Sequence, residues 1–293
     1  MNKLPIEKRV QIVKLLVEGN SLRSTSRIAD VSLNTVTKLL VDIGKACADF
    51  HNSTVMGLTP KRVQCDEIWS FVYAKEKNVP EGMEDYAGDV WTFTAIDADT
   101  KLIISWFVGQ RDMATAKEFM QDVGSRISSG RIQLTTDGYV AYPGAVDETF
   151  DRFIDFAQLQ KIYGKPEGLT QQERRYSPPQ CIGCETKVIS GNPDPKHIST
   201  SYVERQNLNM RMSMRRFTRL TNAFSKKVEN HCHAIALHFV YYNFVRQHKT
   251  LTITPAMAAG LTKRFMSIED IVNLLPVEEP KKRGSYKKRN VQH

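Results

Sequence analysis

The chain has 293 residues, 41% of them apolar and 25% charged, with 41 Lys and Arg against 32 Asp and Glu, a net excess of nine positive charges. This suits a globular chain of one large and one small domain, or two ordinary ones, and the basic excess favours polyanionic partners. Neither a membrane span nor a secretory signal is expected, since no run approaches ~18 apolar residues and MNKLPIEKRVQIV has no apolar signal core; five cysteines, an odd number, argue against a disulfide framework and for a reducing cytoplasm.

Residues 1–50 read as three helices. Pro5 suits a helix start, with Ile6, Val10, Val13 and Val17 recurring on one face. Gly19-Asn20 ends that helix, Ser21 caps a second and Ser32 a third, which buries Val36, Leu39, Leu40 and Ile43. The layout is that of a helix-turn-helix unit, with Asn34, Thr35, Thr37 and Lys38 outward on a recognition helix, suited to base edges and phosphates. A helical dimerisation or packing bundle that never meets DNA is the plainer alternative.

After a linker at 51–62 the period changes. Residues 63–72 (VQCDEIWSFV) predict a strand, and 89–96 with 101–108 predict a hairpin about Asp97-Ala98-Asp99-Thr100. A helix over 114–127 and a strand over 131–139, stopping at Asp137-Gly138, follow. Residues 143–200 read as an irregular insertion with one strand near 155–163. Long helices return, one capped at Ser199, Thr200 or Ser201 and running through Glu204 to about Arg216, another from about Lys226 to His248. The end carries six basic residues within 281–293 and no acidic ones, a disordered tail in expectation. The expected division is an all-α helix-turn-helix domain at 1–55, an α/β catalytic domain at 56–265 and a basic tail at 266–293.

Three carboxylates stand in suggestive places. Asp66 lies inside an apolar strand, which is costly unless something pairs with it. Asp137 ends a strand before Gly138. Glu204 precedes a run, 205–227, with seven Lys or Arg and no acid. Phosphodiester chemistry needs an activated oxygen nucleophile and a stabilised leaving oxyanion, which two Mg²⁺ or Mn²⁺ ions ~3.5–4 Å apart supply, and hard cations want carboxylate oxygens. Singly, each acid has a bland reading: a solvent-facing strand acid, a turn residue, a first-turn helix acid. Their occurrence together, in strand, strand, helix order, is harder to ascribe to accident.

Three blocks carry a resemblance: Asp66-Glu67-Ile68-Trp69; Thr136-Asp137-Gly138-Tyr139 with Tyr142; and Tyr202-Val203-Glu204-Arg205-Gln206-Asn207-Leu208-Asn209-Met210-Arg211, extending into Phe224-Ser225-Lys226-Lys227-Val228-Glu229. Over about residues 20–250 the sequence resembles bacterial insertion-sequence transposases, particularly the family founded on the first-numbered insertion sequence. Tyr242-Asn243-Phe244, His248-Lys249-Thr250-Leu251 and Thr254-Pro255-Ala256 look like the close of retroviral-integrase-like cores. The resemblance implies an α/β RNase H-like fold, a DDE set of Asp66, Asp137 and Glu204 holding two Mg²⁺ or Mn²⁺, and cleavage and strand transfer at element ends. It further implies DNA as partner, at least a dimer in synapsis and a cytoplasmic, nucleoid-associated protein. Arg211, two helical turns beyond Glu204, joins Arg205, Arg215 and Arg216 as expected DNA contacts. Members of that family commonly open with a cysteine-rich zinc-binding segment; this chain starts directly at the helices, so a variant subgroup or a truncated reading frame is expected.

Rivals remain for several roles. Asp97 and Asp99 suit a tight turn better than a metal. Glu67 points to the face opposite Asp66 and is the second-choice ligand. Cys181 and Cys184 have zinc-ligand spacing, with His197 or the His231-Cys232-His233 cluster to complete a site, but one pair is half a site and loop thiols are the plainer reading. Trp69, Trp91 and Trp106 read as core rings rather than base-stacking platforms. The alternatives in function are a non-catalytic DNA-binding regulator, a domesticated relative, or an RNase H-like nuclease that cuts without joining.

Overall fold

A computed structural model describes residues 4–128, 130–151, 153–164, 181–218 and 223–276. Three helices open the chain: α1 (Ile6–Val17), α2 (Leu22–Ala29) and α3 (Leu33–Thr54). Ser21 and Ser32 each accept a hydrogen bond from the backbone N–H three residues on, as their positions before the helices imply. Gly19 turns the chain at φ +80°, where a side chain would be strained. The third helix overruns the expected linker, to Thr54, because its last turns are buried: Cys47 and His51 are fully enclosed.

The sheet has six strands in the order β3-β2-β1-β4-β5-β6. β1 (Arg62–Val72), β2 (Gly88–Asp97) and β3 (Ile103–Gly109) form an antiparallel meander. β4 (Gln133–Thr136) lies parallel to β1, β5 (Asp155–Tyr163) parallel to β4, and β6 (Cys181–Ser190) antiparallel to β5. This mixed α/β sheet is consistent with the expected RNase H-like core. At the turn between β2 and β3, Asp97 accepts bonds from the Asp99 N–H and the Thr100 hydroxyl, and Asp99 pairs with Arg62, so both are turn acids as expected.

Helices α4 (Met113–Arg126) and α5 (Tyr142–Phe150) cover one face of the sheet, with Phe93 against Phe119 and Tyr142. Helices α6 (Ser201–Ser213) and α7 (Val228–Val240) serve the other, where Val203, Met210, Ile235 and Phe239 pack with Ile68, Ile96 and Ile103. α3 lies along α7, and the approach is close: a Cβ on Gly44 would stand 2.6 Å from His233 Cα. Edge strand β3 has its Ile103 peptide satisfied by a side chain, Asn243 accepting from its N–H and donating to its carbonyl at 2.9 Å each.

Several expectations need correction. Residues 143–200, read as an irregular insertion, contain α5, β5 and β6, the last two completing the sheet. No residue of β6 is buried, so neither face carries the apolar half of an alternation, which hid β6 from a period-2 reading. The helix expected to reach Arg216 ends at Ser213, followed by one 3₁₀ turn at Arg215–Phe217, and the helix expected to reach His248 gives way to a π turn at Tyr241–Val245. Two short helices close the described chain, α8 (Pro255–Ala258) and α9 (Ile268–Asn273). α9 falls within the expected tail yet has Ile271 and Val272 fully buried against the main core. The basic run at 281–293 lies outside the described residues.

Candidate active site

Pairing between the parallel strands β1 and β4 ends at Cys65 opposite Thr136, so Asp66 and Asp137 each stand one residue beyond the last pair. Where parallel strands part at their carboxyl ends a crevice opens, and side chains there converge on it. Asp137 also closes its own turn: its Oδ1 accepts from the Tyr139 N–H at 3.1 Å, and Gln158 donates to the Asp137 and Tyr139 carbonyls at 2.9 and 3.1 Å. The turn role and the crevice role are therefore filled by one residue.

Strand alternation sends Gln64 and Asp66 to the α6 face. The Gln64 side-chain oxygen accepts from the backbone N–H groups of Tyr202 and Val203 at 2.8 and 3.2 Å, capping the first turn of α6 from the sheet. Glu204 is thereby held in that turn beside β1, its Oε1 accepting from Thr200 at 2.6 Å and its Oε2 paired with Lys161 of β5. One turn further on, Asn207 donates to Asp66 Oδ2 at 2.8 Å. Its own Oδ1 is buried without a hydrogen-bond partner, a costly state for an amide.

Glu67 leaves β1 on the opposite face, as alternation requires. Across the gap between β1 and β4, however, oxygens of Asp66, Glu67 and Asp137 all lie within 4.8 Å of one another. Glu67 is the best compensated of the three. Arg111 donates to its Oε1 through two nitrogens at 2.7 Å, Tyr142 donates to its Oε2 at 3.0 Å, and its side chain is 1% exposed. Arg111 also reaches Asp137 Oδ2, at 3.9 Å. Among the described residues, no ion pair is formed by Asp66. Burial first, then the charges of Asp137 and Glu67, push its carboxyl up to about 8; Glu204 adds to the effect. Burial likewise raises Asp137, with Glu204 again contributing. The four acids thus share one electrostatic field, and Glu204 is part of it although its oxygens lie outside the closest three.

Asn34 and Lys38 are exposed on α3, whereas the Thr35 hydroxyl is within hydrogen-bond distance of the Ser32 hydroxyl and the Thr37 hydroxyl donates to the Leu33 carbonyl. Arg205 and Arg215 are exposed and Arg211 half-buried. Arg216 is turned inward: it donates to Ser225 Oγ and to the Asn230 carbonyl at 2.8 and 2.9 Å, and burial pushes its guanidinium down to about 10. An internal anchor fits these bonds better than the outward contact expected of it. Cys181 and Cys184 are exposed on β6, and among the described residues no third ligand joins them. His231 is buried, within hydrogen-bond distance of Ser70 and Ser225.

Sequence reasoning missed Gln64, Arg111, Tyr142, Lys161 and Asn207 as parts of this site. Asn207 carried a usable signal, three residues past Glu204 on one helix face. Tyr142 stood in the block around Asp137 that carried the resemblance, whereas Gln64, Arg111 and Lys161 are joined to the acids only by the tertiary fold.

No protein-family model matches the chain, and no curated protein matches it either. Solved structures with some likeness include a pre-cleavage Mos1 transpososome (13% identity over 53% of this chain and 60% of that one, TM-score 0.23). A piggyBac transposase synaptic complex with hairpin DNA is 9% identical over 92% of this chain and 69% of the other, with a TM-score of 0.39. Endonuclease V from Bacillus subtilis is 13% identical over 42% and 56%, with a TM-score of 0.21. This chain therefore spans less than two thirds of the pre-cleavage Mos1 chain and of the endonuclease chain. These likenesses are remote in sequence and in superposition, and the chemistry of the crevice has to be judged on its own residues.

Proposed function

We propose that the chain is a DNA transposase of the DDE type, cutting and joining strands at Asp66, Asp137 and Glu204. The observation that carries this reading is the register of Asp66 and Asp137, facing acids one step past the last pair of two parallel strands, with Glu204 raising both from the first turn of α6. A carboxyl as uncompensated as Asp66 fits a divalent cation, and an all-oxygen donor set suits Mg²⁺ or Mn²⁺. Bound there, such ions would activate water and then a 3′-hydroxyl as nucleophiles and stabilise the departing oxygen.

The chain's own residues divide the remaining work. Asn207 fixes the orientation of Asp66, and Gln158 fixes the turn that presents Asp137. Arg111 pairs with Glu67 and Tyr142 donates to it, which leaves that acid to hold the crevice together rather than to bind metal. Lys161 balances Glu204. Exposed Asn34, Lys38, Arg205 and Arg215, with Arg211, would contact element ends and target DNA, chiefly at phosphates. No nucleophilic Ser or Tyr is required, because strand transfer proceeds by direct attack. Synapsis of two ends calls for at least a dimer, and a cytoplasmic, nucleoid-associated setting follows from the substrate.

The test is strand cleavage and joining by the purified chain on a labelled element end with Mg²⁺ or Mn²⁺. Asp137→Asn should abolish both reactions and leave DNA binding intact. Cleavage without joining would make the chain a nuclease, and undiminished cleavage by the variant would remove Asp137 from the metal site.

A further inference from the structure

We propose that the outer end of the β1–β2 hairpin binds unpaired bases of the strand entering the acidic crevice, with Trp69 and Trp91 as the stacking platform and Lys75 as its cation. The proposal rests on the reading of DNA as substrate. Its starting point is a change of burial along one sheet face. Phe93, under α4 and α5, is fully buried. Two residues nearer the hairpin end, Trp91 lies directly across from Trp69, and Phe71 follows on β1; all three rings are only half-buried.

Cations lie against these rings. The Lys75 ammonium, on an exposed residue, is 5.7 Å from the Trp69 ring centre and 5.9 Å from that of Phe71. The Arg111 guanidinium stands between Trp91 and Tyr139, at 4.9 and 4.2 Å. Rings and cations thus form one stripe that ends at Tyr139, whose N–H is bonded to Asp137. The two cations differ in kind. Arg111 is committed to Glu67, while no ion pair of Lys75 occurs among the described residues, so Lys75 is the one able to move.

Planar rings interleaved with a mobile cation suit single-stranded nucleic acid, since every base has a face to stack and every linkage a charge. An exposed cation–π contact is weaker than the stacking of a base on tryptophan, so an arriving base displaces Lys75 from the ring and leaves it free for the backbone phosphate. An apolar protein surface on the same face would have to bury that ammonium unpaired, which is unfavourable. Bases within a duplex are already stacked and cannot use the platform. The ligand is therefore a strand unpaired next to the site of cutting.

The experiment uses the full chain in chelator, where no cutting occurs, titrated with a short oligo(dT) and with a duplex of equal length, read by tryptophan emission. Trp106, packed against His51 and Phe239 at ring-centre distances of 4.3 and 5.0 Å, gives a background that should not respond. Oligo(dT) should quench the wild type. Trp69→Leu and Trp91→Leu, which keep apolar bulk, should each weaken oligo(dT) by about ten-fold, with duplex affinity within about two-fold. Lys75→Glu, at an exposed position, should weaken oligo(dT) at an unchanged melting temperature, and it stands as the test should a tryptophan variant not fold. Unchanged oligo(dT) affinity in the folded variants overturns the proposal, as does an equal loss for the duplex. If the wild type cuts DNA with metal while these variants bind oligo(dT) normally, this proposal alone falls; if the wild type binds neither oligonucleotide, it falls together with the DNA reading.

Discussion

Replacing Asp66 with Asn should stabilise the metal-free protein, and the size of the gain follows from the crevice. In the folded chain, burial and the neighbouring acids hold the Asp66 carboxyl near 8 against an ordinary 3.8. At pH 7 the folded state therefore retains a proton that the unfolded chain gives up, roughly three pH units above the ordinary value. At ~1.4 kcal/mol per unit the upper bound is near 4 kcal/mol. Residual exposure and screening by solvent reduce this to on the order of 2 kcal/mol. Asn is isosteric, can still accept from Asn207 and carries no charge. The sign is fixed by linkage: a carboxyl raised in the folded state costs stability as pH climbs from about 4 to about 8, so the advantage of the variant should grow across that window. Thermal unfolding in chelator should show a midpoint higher by several degrees at pH 7.5, at about 2–4 °C per kcal/mol, and little difference near pH 4. Addition of Mn²⁺ should then raise the wild-type midpoint and leave the variant unmoved. A variant less stable than wild type at pH 7.5, or a difference independent of pH, would refute the view that Asp66 is an uncompensated charge awaiting a cation.

Other outcomes follow from the same geometry. Glu67→Ala should lose about 1–2 kcal/mol in denaturant unfolding, because it leaves the buried Tyr142 hydroxyl unpaired and removes the nearer partner of Arg111, whereas Asp137→Asn should stay near wild type; a Glu67→Ala protein of full stability would contradict its structural role. Gly44→Ala should destabilise despite a helix-propensity gain of ~1 kcal/mol, since its Cβ meets the His233 backbone. A melting midpoint equal to or above wild type would show that α3 and α7 can part at no cost. Burial holds His51 and His231 down at about 3 and His238 at about 4. A histidine depressed in the folded state contributes stability fully present above about 6.5 and lost as pH falls, at up to ~1.4 kcal/mol per unit each. These three outweigh the opposite slope of Asp66, so the midpoint should fall steeply from pH 6.5 to 4 and only gently from 6.5 to 8; a flat acid limb would place the imidazoles in contact with water.

The sequence by itself determined the three N-terminal helices, the first five strands of the sheet and the helices that carry Glu204 and His231, in their order. The caps at Ser21 and Ser32, the change from helical to alternating period after α3, and the strand stopping at Asp137 are local properties, set by backbone hydrogen bonding and side-chain spacing within a few residues. Asp66, Asp137 and Glu204 could be picked out in the same way, because an acid in an apolar strand and an acid before glycine are local anomalies. Local signals failed where register decided. β6 is an edge strand with no buried face to mark by alternation, and the helix expected to reach Arg216 stops at Ser213, where the chain turns Arg216 inward. Only the tertiary structure decided that pairing between β1 and β4 ends one step short of both aspartates, which makes two separate anomalies into one crevice. It also decided that Gln64 caps α6 from the sheet, that Asn207 reaches Asp66, and that Arg111 pairs with Glu67. Each of these joins residues more than 40 positions apart, and no spacing along the chain encodes such a contact. Its energy comes from removing charges and amides from water together, and that exists only once the strands have paired.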